Sequence, residues 1–229
     1  MPTRKIAIDG PAGAGKSTIA KAVAEELGFV YIDTGAMYRA IGLGAVRRKV
    51  DTTDQKGVEH ILNELEVTIR HTDQGQQIFL NGENVSQAIR MPEISVAASQ
   101  VAVIPAVRLK LVELQRKLAE ETDVIMDGRD IGTYVLPNAQ LKIFLTASPE
   151  ARARRRYDEL SAKGIETTFD EVFRDMEFRD QNDSSRAFAP LKPAEDSVLV
   201  DSTDLTLPEA VARISTLAGQ MRDTLPERS

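Results

Sequence analysis

Gly10-Pro11-Ala12-Gly13-Ala14-Gly15-Lys16-Ser17 is the stretch that most narrows what this chain can become. It satisfies G-x-x-x-x-G-K-S/T and has the flanks that pattern needs. Lys5 to Asp9 is a short run of strand character, and Ile19, Ala20, Val23, Ala24 and Leu27 then recur at helical spacing until Gly28. Glycines let a backbone wrap closely enough for its N–H groups to reach phosphate oxygens, aided by the positive end of the following helix. Lys16 adds a point charge toward the β and γ phosphates, and Ser17 is placed to offer its hydroxyl to Mg2+. Gly10 through Thr18 is therefore expected to cradle the phosphates of a magnesium-bound nucleotide. The alternative, a glycine-rich turn beside a surface lysine, does not account for the strand and helix that frame it.

The rest of the chain continues in the same style. Phe29 to Ile32 reads as a second buried strand, ended by Asp33-Thr34-Gly35, with Met37, Ala40, Ile41, Gly44 and Ala45 suggesting a helix. Val124 to Met126, Leu141 to Leu145 and Val198 to Val200 are continuous apolar runs suited to a parallel sheet buried on both faces. Helical patterns follow Pro105 (Val107, Leu111, Leu114, Leu118), the start signal Ser148-Pro149-Glu150 with Gly164 as its stop, and Pro208 (Val211, Ile214, Ala218, Met221). The tail from Arg222 is expected to fray. Between these pieces the period changes. Leu65, Val67 and Ile69, then Ile78 and Leu80, alternate with polar or outward residues, and Gln74-Gly75 and Asn81-Gly82 supply turns. The expected fold is α/β, a central parallel sheet flanked by helices, with a small antiparallel lobe inserted at about 61–100 into a single domain spanning 1–229.

A chain of 229 residues, 42% hydrophobic, can bury a substantial core. Its net charge of −6 argues against binding nucleic-acid polymers, which takes basic surface. With no cysteine, disulfides, thiolate zinc and thiol nucleophiles are excluded, and an intracellular, cytoplasmic setting is expected. His60 and His71 lack partners in ligand-like register. Arg4 and Lys5 precede only the brief run Ile6 to Ile8, too short for a signal-peptide core, and no stretch approaches membrane-spanning length.

Asp127 ends the strand run Val124 to Met126, where a carboxylate can sit near the water shell of the metal; alone, this is a weak pattern. A guanine-reading Asn-Lys-x-Asp is absent, and Asp54-Gln55-Lys56-Gly57 follows no apolar strand, which counts against a nucleotide-dependent switch. Arginines punctuate the chain at Arg39, Arg108, Arg129, Arg152, Arg154, Arg155, Arg156, Arg179 and Arg186, and guanidinium forks suit phosphate oxygens. Arg152, Arg155 and Arg156 stand at i, i+3 and i+4, gathering charge on one helix face to meet an anion; pairing with Asp158 and Glu159 is the alternative. An acceptor phosphate is already ionised at neutral pH, so transfer to it needs positioning and charge neutralisation rather than a strong base.

Five segments together resemble a known family: Ile8-Asp9-Gly10-Pro11 with the phosphate loop, Asp33 to Arg39, Ala98 to Ala102, Asp127 to Thr133, and Arg186 to Leu191. Nearly end to end the chain is similar to the bacterial cytidylate kinases, within the nucleoside monophosphate kinase superfamily. That resemblance implies a P-loop kinase moving the γ-phosphoryl of ATP to CMP or dCMP, with Mg2+, as a monomer. It implies that the inserted lobe is the enlarged monophosphate-binding region and that about 150–186 is a helical lid carrying Arg152, Arg155 and Arg156. Ser99, Arg108 and Asp130 would read cytosine, whose exocyclic amino group a carboxylate can accept. Arg39, Arg129 and Arg186 would clamp the acceptor phosphate, Arg179 and Asp183 the sugar, and Thr34 and Tyr38 the wall beside them. The segment just before Arg186, Asn182 to Ser185, is less basic than that family pattern implies. Each residue also has a plain structural reading: Asp130 pairing with Arg129, Asp33 capping a helix, Tyr38 in the core, Ser99 as a buried helix hydroxyl. Kinases acting on UMP, AMP or a metabolite hydroxyl are the nearest alternatives.

Overall fold

A computed structural model describes residues 3–72 and 75–223. Along the chain run β1 (Lys5–Asp9), α1 (Lys16–Leu27), β2 (Val30–Asp33), α2 (Thr34–Arg47), α3 (Gln55–Leu62), β3 (Val67–Thr72), β4 (Gly75–Leu80) and β5 (Glu83–Asn84). A 3-10 turn (Ala88–Arg90), α4 (Pro92–Val101), α5 (Pro105–Glu121), β6 (Val124–Gly128), a π-type turn (Ile131–Val135) and β7 (Leu141–Thr146) follow. Last come α6 (Pro149–Ala162), α7 (Phe169–Ser185), β8 (Val198–Asp201) and α8 (Leu207–Asp223). These fold as two compact units, one holding the residues up to Tyr31 and from Thr122 onward, the other Ile32–Glu121.

The first unit is built on the parallel sheet, in the order β2-β6-β1-β7-β8. β1 pairs in parallel with β6 (Ile8 opposite Asp127, Asp9 opposite Gly128) and with β7, and β7 pairs with β8. Its apolar runs are buried as sheet centre: Ile6, Ile8, Ile125, Ile143, Leu145 and Val200 meet Ile19, Ala20 and Val23 of α1 and Ala210, Ile214 and Ala218 of α8. β2 begins one residue later than the sequence suggests. Phe29 instead closes α1, its N–H donating to the Ala24 carbonyl at 2.8 Å after Gly28 turns left-handed, while Arg4 stacks over its ring at 4.8 Å. Ser148 caps α6 as its sequence indicates, its hydroxyl accepting from Ala151 N–H, and Gly164 follows the helix with φ of 70°. The helix over Phe169–Ser185 lies inside the expected helical lid, although periodicity alone does not show it, because Val172 and Met176 are its buried apolar positions and polar residues fill most of the rest. A capping box between Thr168 and Glu171 starts that helix.

The second unit contains the antiparallel sheet β3-β4-β5, inside the stretch where alternation pointed to it, with Val67 opposite Leu80 and Ile69 opposite Ile78. Asn81 and Gly82 both take positive φ, 50° and 82°, as a tight hairpin between twisted strands requires. The other expected turn includes Gln74, which lies outside the described residues. Met37, Ile41, Leu43 and Ala45 of α2 form the core with Ile78 and Leu80, Ile94 and Val101 of α4, and Val107 and Leu111 of α5. Asp54, spelled into an apparent switch motif, is the N-cap of α3 and accepts from Lys56 N–H. α8 continues through Asp223, and the remainder of the tail expected to fray lies outside the described residues. Among the described residues no single helix is long and apolar enough to cross a membrane.

Candidate active site

The first unit holds the phosphate loop at the carboxyl end of β1. Only glycine fits at its entry: a Cβ on Gly10 would lie 1.9 Å from the Leu145 carbonyl oxygen, and φ there is 152°. The loop delivers Gly15, left-handed, as N-cap of α1, and no side chain caps that helix start. Its backbone donors and the helix dipole are thus directed at whatever anion the loop holds. Lys16 is buried at the head of α1, its ammonium donating to the Pro11 carbonyl at 2.7 Å. Burial, reinforced by the neighbouring Arg129, pushes its pKa down to about 7 against the opposing pull of Asp127, Asp183 and Asp9. A polyanion on the loop would favour the charged ammonium.

Ser17 and Thr18 are exposed on the first turn of α1. The Ser17 hydroxyl donates to Asp127 Oδ2 at 2.8 Å, joining the two residues read from sequence as metal-side groups. Tyr31 donates its hydroxyl to the other oxygen, Oδ1, at 2.9 Å. A hydroxyl and one carboxylate form the sparse all-oxygen donor set that suits a magnesium ion retaining most of its water.

Arg129, Asp183 and Arg186 come together in the same unit. Arg129 Nε donates to Asp183 Oδ2 at 2.5 Å, and Arg186 donates to the other carboxylate oxygen. Burial alone would raise the Asp183 pKa, but Arg129 and Arg186 outweigh it and hold the carboxyl below its ordinary range, with Arg179 adding to the pull. For Arg129, burial opposes charge, yet Asp183, Asp127 and Asp180 raise its pKa further. Asp130 is 4% exposed, and its backbone carbonyl accepts from Tyr134 and Val135 N–H. Tyr134 meets Phe188 edge to face at 4.8 Å.

The three arginines at i, i+3 and i+4 do not gather at one point. Arg152 turns inward, donating to the carbonyls of Ala147 (3.0 Å) and Ala12 (2.9 Å) and to Asp180 (2.5 Å). Arg155 donates to the Ser202 hydroxyl at 3.1 Å and to the backbone carbonyls of Ser202 and Thr203, and half-buried Arg156 pairs with exposed Glu159 at 2.7 Å. Long side chains fan out from one helix face, and each found an oxygen within its own reach. Asp180, unremarked in the sequence, also accepts from Ala12 N–H at 3.2 Å, so both polar groups of that loop residue are held by α6 and α7. Ala12, Ala153, Val172 and Met176 form the small apolar cluster beneath.

In the second unit, Asp33 does cap α2, accepting from Ala36 N–H at 2.8 Å, and its other oxygen pairs with Arg39 at 2.9 Å. Thr34 is the buried first residue of α2. Tyr38 packs against the core and lies 5.8 Å beneath the guanidinium of Arg108, which is 1% exposed and donates to the Ala102 carbonyl at 3.3 Å. Arg39 Nε and the hydroxyl of Ser99 are buried with no hydrogen-bond partner. Such orphaned polar atoms are costly and are typical of sites awaiting a ligand or water.

The cytidylate kinase family profile matches residues 6–220. A cytidylate kinase from Caldicellulosiruptor bescii is 51% identical over 93% of this chain and 95% of its own length. Those of Carboxydothermus hydrogenoformans and Desulfitobacterium hafniense are 48% and 52% identical, each over 96% of this chain and covering 100% and 94% of theirs. The chain belongs to the cytidylate kinase family.

Proposed function

We propose that this protein transfers the γ-phosphoryl group of ATP to CMP or dCMP. The observation that carries the donor half is the buried Lys16 at the head of an uncapped helix, beside the Ser17–Asp127 pair. The acceptor half is supported by family membership and by the orphaned polar atoms of Ser99 and Arg39. An oxygen of the acceptor phosphate forms the new bond to the γ-phosphorus as the bond to the bridging oxygen breaks, its electron pair leaving on ADP. That nucleophile is already anionic, so the protein's part is alignment and charge neutralisation.

Lys16 with the loop N–H groups holds the β and γ oxygens, and Ser17 and, through water, Asp127 would hold Mg2+. Held there, the ion would supply positive charge to offset that of the phosphate oxygens. Arg39, Arg129 and Arg186 are assigned to the acceptor phosphate, Arg179 and Asp183 to its sugar, Thr34 and Tyr38 to the adjoining wall, and Ser99, Arg108 and Asp130 to the cytosine. Arg152 acts from the underside of the phosphate loop, while Arg155 and Arg156 would exchange Ser202 and Glu159 for phosphate oxygens as the lid of about 150–186 closes. The two compact units serve one catalytic domain, monomeric and cytoplasmic in this reading.

A coupled assay of ADP formation with Mg-ATP and CMP, dCMP, UMP, AMP, GMP or no acceptor tests it. Turnover confined to CMP and dCMP is expected, whereas a preference for another nucleotide refutes the cytosine assignments and acceptor-independent hydrolysis refutes the transferase. Lys16→Ala should lower kcat by about 10²- to 10³-fold or more, with the thermal midpoint unchanged or higher because a buried ammonium is removed.

A further inference from the structure

Asp9 ends β1 and is assigned to neither substrate above, yet its carboxylate is 4% exposed in the middle of the sheet's carboxyl edge. A buried carboxylate is costly unless its oxygens are satisfied. Here Oδ1 accepts from Ile131 N–H at 2.8 Å and Oδ2 from Gly132 N–H at 2.7 Å. Those are the first two donors of the π-type turn Ile131–Val135, which have no earlier turn of helix to bond to. Gly132 rests so closely that a Cβ there would meet the Lys142 side chain at 3.2 Å and Asp9 Oδ2 at 3.4 Å. Lys142 has little room to yield, since Asp196 holds its ammonium at 2.8 Å through both carboxylate oxygens.

Sequence adjacency gives this bond its reach. Gly10 of the phosphate loop follows Asp9 directly, and Arg129 and Asp130 directly precede the turn that Asp9 grips. Asp9 is also the ladder partner of Gly128, so the arc 128–132 is held at both ends by one residue. We propose that Asp9 is a positioning residue that fixes Arg129 and Asp130 against the base of the phosphate loop, setting the acceptor's place relative to the donor phosphate. This rests on the assignment of Arg129 and Asp130 to the acceptor. A carboxylate suits the task because it is acceptor-only on both oxygens; asparagine of the same shape presents an NH2 to one of the two N–H groups.

Steady-state kinetics with CMP and ATP varied separately, on Asp9→Asn, Gly132→Ala, Arg129→Ala and Asp130→Ala, tests the inference. Asp9→Asn should raise KM for CMP by about tenfold and lower kcat, with KM for ATP within about twofold. Gly132→Ala, which lifts the turn off the carboxylate by adding one methyl, should move the same constants in the same direction. It is the deciding variant if Asp9→Asn does not give folded protein. A residue that merely filled space would be replaced by isosteric asparagine without loss, or would move both KM values together through stability. Either result overturns the proposal. If Arg129→Ala and Asp130→Ala themselves leave CMP kinetics unchanged, the acceptor assignment fails; if they impair CMP while Asp9→Asn does not, the positioning role alone fails.

Discussion

At the scale of single residues, the site distinguishes groups that already have partners from groups that lack them. Arg129 and Arg186 share Asp183, and Ser17 is bonded to Asp127, so ligand must compete with or build upon those bonds. Ser99 Oγ and Arg39 Nε have nothing to give up. Asp130 is the residue proposed to separate cytosine from uracil, because a carboxylate accepts from an amino group and repels a carbonyl oxygen. Asp130→Ala is expected to narrow the CMP-to-UMP ratio of kcat/KM by about ten- to a hundredfold, read from parallel assays with the two nucleotides. A ratio that stays put would move base recognition elsewhere in the molecule.

Among the elements, α7 is the one whose place in a lid the family resemblance implies but whose hold on the phosphate loop the sequence conceals. Asp180 and Asp183, three residues apart and so on one face, serve different ends: Asp180 holds Ala12 and Arg152 of the donor side, and Asp183 holds Arg129 and Arg186. Asp180→Ala should loosen the loop, raising KM for ATP by about tenfold while KM for CMP changes less; varying each nucleotide in turn distinguishes this from a general loss of stability. β1, the loop and α1 were legible because their signals are local: a strand run, glycines, a helical stripe. The alternating strands and the Asn81-Gly82 turn were legible for the same reason. Asp9, Tyr31 and Asp180 were not, since their partners stand 122, 96 and 168 residues away, and an isolated Asp or Tyr carries no sign of which backbone it will meet. The dispersal of Arg152, Arg155 and Arg156 was hidden similarly, because helical spacing locates their Cα atoms and not the oxygens each side chain reaches.

For the whole molecule, the buried carboxylate of Asp9 links protonation to folding. Burial, opposed by its two backbone donors and by Lys16 and assisted by Asp130, raises its pKa from 3.8 to about 6. The folded chain therefore holds this proton more tightly than the unfolded chain between those values. The resulting stabilisation is fully present below about pH 3.8 and is lost as pH rises through about 6. Denaturant unfolding of wild type and Asp9→Asn across pH 4 to 7 should show the wild type's relative stability falling by roughly 2 kcal/mol over that interval; a gap that widens with pH contradicts the assignment. The topology carries a different consequence. Val30 N–H bonds to the Asp123 carbonyl at 2.9 Å, so the start of β2 lies beside a residue from which the whole of 32–121 separates it along the chain. Pairing across so long a stretch pays its loop-closure entropy before any contact rewards it, which makes the β2-β6 ladder a late arrival in folding.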